Sequence, residues 1–222
     1  MSYNQTFGFE AIHDDTIVQH LLNGDIENNI LVFDVETTGL KPRGVPITKS
    51  ELMPHVVQFS WVVFNKKIGK ILKKFDHIIH LPDGVEVPIE STEIHGITND
   101  QTLRSQMYIA TALEEFRSDL HKCETIVAHN LEFDRDIINV EIYRQGGDKW
   151  LDLRSKILFC TMRYGEPLCK LTYVSKYNKK KKSKFPKLSE LYDHLFGEEP
   201  ENLHNSYVDV LACLKCYLKM TN

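Results

Sequence analysis

The sequence predicts an α/β fold: a mixed five-stranded sheet, its first three strands antiparallel, flanked by helices. Three observations carry this. Ile30–Val35 is a near-continuous apolar run, too short for a typical helix and suited to a buried central strand. Val56–Phe64 is β-branched and aromatic, and Asn65–Gly69 reads as a turn into Lys70–His80, the start of an antiparallel meander. Beyond residue 100, short apolar runs alternate with segments of helical period, as expected where helices pack on a sheet.

In chain order, residues 1–29 form a polar N-terminal extension with one short helix over Asp15–Leu22, ending near Asn23-Gly24. Pro42, Arg43, Gly44 and Pro46 mark a loop that continues to Pro54, and Pro82–Pro88 is a second loop. Thr102–Leu120 carries Ile109, Leu113, Phe116 and Leu120 at helical spacing. Thr125–Ala128 is a short strand. Leu131–Gln145 is a helix stopped by Gly146-Gly147, and Ile157–Cys160 is a fifth strand. Lys187–Phe196 and Ser206–Met220 are the last two helices, the second burying Val208, Leu211, Ala212 and Leu218.

The chain has 222 residues, 42 % hydrophobic and 26 % charged, enough for one domain with a well-formed core or two small ones. No apolar stretch approaches a membrane span, and the N-terminus lacks the basic start and apolar block of a secretory signal. The expectation is an intracellular protein, cytoplasmic or nuclear, whose five cysteines are reduced thiols. Cys213-x-x-Cys216 lies inside a helix with no second pair at zinc-site spacing, so both read as buried thiols.

A formal net charge of −4 argues at first against a nucleic-acid partner. That average conceals a division. Lys176–Lys187 holds seven lysines and no acid; removing them from the 27 basic groups leaves 20 against 31 acids, a formal −11. The protein is an acidic body with one basic loop, residues 176–187. The loop reads as a solvated surface segment, a targeting signal, or a flap that tracks phosphates through lysines such as Lys180 and Lys181.

Asp34 and Glu36 lie two apart on the first strand, so both side chains leave by one face. Side by side there, two carboxylates repel unless a cation sits between them, or unless the strand end simply emerges into solvent. Asp134 falls in the first turn of the helix after the fourth strand, where an acid also complements the helix dipole. His204 and Asp209 are five apart, about 140° around a helix, so they converge only if His204 precedes the helix and Asp209 opens it. Ser206 is the N-cap in that arrangement.

Together, Asp34-x-Glu36-Thr-x-Gly-Leu, His129-Asn-x-x-Phe-Asp134 and His204-x-x-x-x-Asp209 resemble the three motifs of the DnaQ-like DEDDh 3′–5′ exonucleases, the family of polymerase proofreading subunits, RNase T and TREX-type nucleases. The resemblance spans residues 30–220, and Glu93-Ile94-His95-Gly96-Ile97-Thr98 resembles the segment between the first two motifs. It implies a ribonuclease-H-like fold and release of 5′-mononucleotides from a nucleic-acid 3′ end, DNA being favoured over RNA. Asp34, Glu36, Asp134 and Asp209 are then the ligands of two Mg²⁺ ions, with Mn²⁺ able to substitute, and His204 is the general base. The resemblance also places Thr37 and Leu40 against the terminal nucleotide, His95 and Ile97 beside its base, and Asn130 and Phe133 along the scissile phosphate and sugar; each is equally readable as packing. A polymerase partner or a self-dimer fits the family, and so does a catalytically silent interaction module. An exoribonuclease of the same chemistry is the nearest alternative.

Overall fold

The computed structural model describes residues 7–147, 151–200 and 202–222. The sheet runs β3-β2-β1-β4-β5, with β1 (Asn29–Thr37) at its centre, β2 (Val56–Asn65) and β3 (Lys70–Ile78) on one side, and β4 (Thr125–Ala128) and β5 (Ile157–Cys160) on the other. β1–β2 and β2–β3 are antiparallel, while β1–β4 and β4–β5 are parallel. The predicted mixed sheet is therefore present, antiparallel over its first three strands. All ten residues of β2 are buried, because helices cover both faces.

Alternation along β1 divides the core in two. Leu31, Phe33 and Val35 point to a layer formed by α1 (Asp15–Gly24), α4 (Ile109–His121) and α5 (Leu131–Arg144), where Phe116 is fully buried against Phe33, Phe59 and Trp61. Ile30 and Val32 point to the opposite layer, formed by α7 (Leu188–Phe196) and α8 (Ser206–Thr221). The described part of the N-terminal extension packs into both layers: Val18 and Leu22 enter the first, and Phe7 and Phe9 the second. Residues 1–6 of that extension lie outside the described residues.

Several expectations are corrected. The helix predicted over Thr102–Leu120 is two, α3 (Asn99–Arg104) and α4, preceded by α2 (Ile89–His95). The break falls at Ser105, whose hydroxyl donates to the Ile78 carbonyl, and at Met107, whose carbonyl accepts from the His80 N–H at 2.8 Å. These bonds tie the linker to the end of β3. A capping box, Thr98 with Gln101, starts α3.

A helix not foreseen, α6 (Thr161–Cys169), contains Pro167 and buries Thr161 and Gly165, so its buried face offers no large apolar residue to signal it. A Cβ at Gly165 would meet Leu191 Cδ1 at 2.9 Å, the reason α6 can lie so close to α7. The basic loop is a hairpin: β6 (Thr172–Val174) pairs antiparallel with β7 (Lys181–Ser183). Its lysines obscured the strand pattern. Among the described residues no helix is long and apolar enough to cross a membrane.

Because Phe116 fills the centre of the first layer, Phe116→Ala should cost about 3–5 kcal/mol in urea unfolding. A loss below about 1 kcal/mol would show that this layer is not the packed core described.

Candidate metal centre and active site

The site lies at the carboxyl end of β1, where β1 and β4 run parallel and their following loops converge. Asp34 and Glu36 share the face of β1 that carries Ile30 and Val32, the face covered by α8. Their cross-strand neighbours on β2 are Ser60 and Gln58. Both reach the start of α8, Ser60 through the Ser206 hydroxyl at 2.5 Å and Gln58 Oε1 by accepting from the Ser206 N–H at 3.2 Å. Asp76 accepts from Gln58 and Ser60 in turn, at 2.9 and 3.0 Å. This buried polar ladder fixes where α8 begins, and hence where Asp209 points.

Carboxylate oxygens of Asp34, Glu36 and Asp209 all lie within 4.8 Å of one another. Asp209 sits in the first turn of α8. His204 stands on the preceding loop with φ +69°, and its backbone N–H faces both Asp209 oxygens at 3.3–3.4 Å. The cap of α8 is Asn205 rather than Ser206: the Asn205 side chain accepts from the Val208 N–H, while Ser206 is the first helical residue. Asp134, buried in the first turn of α5, accepts from the Val35 N–H at 3.3 Å and thereby joins the group from the far side of β1.

Electrostatically this is an unneutralised acid cluster. Burial raises Asp34 well above the usual carboxylate range, and the charges of Asp134, Asp209 and Glu36 raise it further. Burial, then Asp209 and Asp134, push Glu36 to about 8. Burial lifts Asp134 to about 8 against the bond from Val35, and Asp209 to about 7 against the bond from His204. No lysine or arginine is among the causes of these shifts. Half-buried carboxylates whose oxygens lie that close together, all anionic when ionised, fit a hard divalent cation with water left in its shell.

Around the cluster, the Thr37 hydroxyl donates to the Gly39 carbonyl at 2.6 Å, and Thr38 and His55 exchange two 2.9 Å bonds that pin the loop after β1. Leu40, at the tip, is 87 % exposed. His95 closes α2, ahead of Gly96 at φ +74°. Its Nδ1 accepts from the Ile97 N–H, its Nε2 is buried, and burial lowers its pKa, opposed by the Thr37 backbone and helped by His204. The Ile97 side chain is buried among Val57, Leu81 and Val87, a packing position. Asn130 precedes α5 with φ +66°, and Phe133 is half-buried against the first core layer. Lys180 and Lys181 are exposed on the hairpin.

One residue received no role from the sequence. His129 bonds Thr161 Oγ1 at 2.9 Å through Nδ1 and the Pro186 carbonyl at 3.1 Å through Nε2, and burial lowers its pKa to about 4. A neutral ring whose Nε2–H donates to Pro186 and whose Nδ1 accepts from Thr161 satisfies both bonds. It ties the ends of β4 and β5 to the base of the hairpin. The motif contains this histidine, but its partners lie 32 and 57 residues away.

The fold is of the ribonuclease-H-like class, with an acid cluster able to hold a metal at the end of its central strand. A family model described as exonuclease, RNase_T, matches residues 31–217, and the chain belongs to that family. Among curated relatives, a DNA polymerase III PolC-type protein of Streptococcus suis (strain 98HAH33) is 31 % identical over 144 residues, covering 63 % of this chain and 9 % of that protein. The counterpart from Streptococcus sanguinis (strain SK36) is 32 % identical over 116 residues, 52 % of this chain and 7 % of that protein. The chain thus spans less than a tenth of the length of these relatives.

Among solved structures, E. coli exonuclease I in complex with a dT13 oligonucleotide aligns with a TM-score of 0.65 at 16 % identity, over 88 % of this chain and 41 % of that one. The nuclease domain of 3′hExo, a DEDDh family member bound to rAMP, aligns at 0.60 and 15 %, over 88 % and 92 %. These likenesses show the fold.

Raised carboxyl pKa values have a thermodynamic consequence. Between about pH 4, where the unfolded groups ionise, and about pH 8 for Glu36 and Asp134, the folded state holds more protons than the unfolded state. In EDTA, the melting temperature should therefore fall as pH rises through that window, and Glu36→Gln should flatten the decline. An equal slope in both proteins would contradict the cluster's electrostatics.

Proposed function

We propose that the protein is a 3′–5′ exonuclease that hydrolyses DNA from its 3′ end and releases 5′-mononucleotides. The observation that carries this is the convergence of Asp34, Glu36 and Asp209 within 4.8 Å, with Asp134 completing the set, in a chain of the exonuclease family. These four residues would hold two Mg²⁺ ions, with Mn²⁺ able to substitute. Once bound, such ions supply charge neutralisation and Lewis-acid polarisation of the scissile phosphate.

The chain's own residues do the rest. His204 is exposed on the loop before α8, so its imidazole is free to approach an attacking water and take its proton as general base. Thr37 and Leu40 border the 3′-terminal nucleotide, Leu40 through an exposed apolar side chain suited to a base face. The half-buried ring of His95, set beside the Thr37 backbone, stands on the same side as a hydrogen-bonding group for the terminal nucleotide. Asn130 and Phe133 line the approach to Asp134. Lys180 and Lys181 meet phosphates farther from the end. Relatives of PolC type make association with a DNA polymerase the favoured partnership.

Asp34→Ala should abolish Mg²⁺-dependent shortening of a 5′-labelled oligonucleotide, and His204→Ala should slow it about 10²–10⁴-fold. Full activity in the first variant would remove the metal assignment, and in the second the general base. A 3′-phosphate block that fails to protect the oligonucleotide would argue against attack from that end. Equal or faster digestion of RNA would replace the DNA assignment with the exoribonuclease reading.

A further inference from the structure

We infer that the β6–β7 hairpin is a stacking platform for single-stranded nucleic acid, holding the substrate several nucleotides from the end being cleaved. The inference rests on the nuclease reading above and adds to it a surface and a strandedness.

The hairpin has no core of its own. Tyr173 is 49 % exposed, Phe185 47 %, and Tyr177, at the turn, is fully exposed. Exposing three aromatic rings on so short a segment forgoes the burial that usually justifies them. Cationic side chains surround them. Tyr173 lies directly across from Lys182, and Lys180 immediately precedes the same strand. Among the described residues, Lys176, Lys179, Lys180, Lys181 and Lys182 make no ion pair, whereas Lys184 is held by Glu190. Aromatic faces interleaved with unneutralised lysines match a single strand, whose bases are free to stack while its phosphates meet cations. A duplex keeps its bases stacked internally and has no use for exposed rings. An acidic peptide needs only the charges.

Position supports the same occupant. A two-stranded hairpin is marginal alone in water, so its anchors decide where it points. Ser175 is buried, and the Pro186 carbonyl at the base of the hairpin accepts from His129. His129 immediately precedes Asn130 and the helix that carries Asp134. The base of the platform is thus tied to the loop that leads into the helix carrying Asp134. The acidic cluster repels a phosphate backbone wherever cations do not cover it, so positive charge beside it is needed to retain the chain.

Fluorescence anisotropy with a 5′-labelled single-stranded 12-mer, in EDTA so that only the protein's own charges act, tests the platform. Tyr173→Ala with Tyr177→Ala should weaken binding about tenfold while leaving the salt dependence intact. Lys180→Ser with Lys182→Ser should reduce the slope of log affinity against log salt by about 1. Tyr177→Ala alone, at a fully exposed site, checks that the loss does not come from misfolding. Unchanged affinity and slope in these variants would overturn the platform. So would equally tight binding of a 12-base-pair duplex or of poly-glutamate. Adding Mg²⁺ to the wild type separates the two claims. Variant-sensitive binding without digestion removes the nuclease reading and leaves the platform; digestion with variant-insensitive binding does the reverse.

Discussion

Repulsion among four carboxylates at the end of the central strand is the constraint on which the rest of the structure turns. Asp34 and Glu36 interrupt an otherwise apolar strand and cannot turn away, because alternation commits them to the face under α8. The fold brings two more acids to the same place, and among the described residues none of the four is paired with a lysine or arginine. What it supplies instead is fixed dipoles. Asp134 and Asp209 each occupy the first turn of a helix, where the positive end of the backbone dipole favours an anion. The Val35 and His204 N–H groups face their oxygens directly. These partial charges soften the repulsion without removing it, and burial still drives every one of the four toward its protonated form. A divalent cation removes the conflict altogether, which is why a site strained when empty is suited to hold one.

Holding such a cluster requires rigid neighbours. The polar ladder from Asp76 through Gln58 and Ser60 to Ser206 sets the first residue of α8 against β2, and Asn205 caps the helix. On the opposite side, the Thr38–His55 bonds fix the loop beyond β1, and His129 fixes the ends of β4 and β5. The general-base candidate, His204, is the exception. It is exposed, on a loop, and held through its backbone rather than its ring, consistent with an imidazole that takes its working position only with substrate present.

Much of this was legible in the sequence wherever one local rule governed the outcome. The apolar run of β1, the β-branched and aromatic run of β2 and the turn at Asn65–Gly69 pointed to the antiparallel half of the sheet, and the five-residue spacing of His204 and Asp209 located them on either side of a helix start. The unread parts depend on contacts distant in sequence. Nothing near Ser105 announces that its hydroxyl will meet Ile78 and split a helix, and α6 hides its character because it carries Gly165 on its buried face and Pro167 in its last turn, residues that usually mark a helix's end. The choice of Asn205 over Ser206 as cap follows from Ser206 being taken by Ser60 and Gln58, 146 and 148 residues away. The strands of the hairpin were masked by lysines whose value lies in exposure.

Charge first read as an average of −4 resolves into an acidic centre and a cationic arm. Hydrolysis at that centre depends on its binding divalent cations. The most direct measurement is titration of the metal-free protein with Mn²⁺, following free ion by electron paramagnetic resonance at neutral pH. The expected result is loss of free-ion signal approaching two ions per chain, competed by Mg²⁺ and abolished in Asp34→Ala. A wild-type protein that leaves the Mn²⁺ signal unchanged at millimolar concentrations would contradict it.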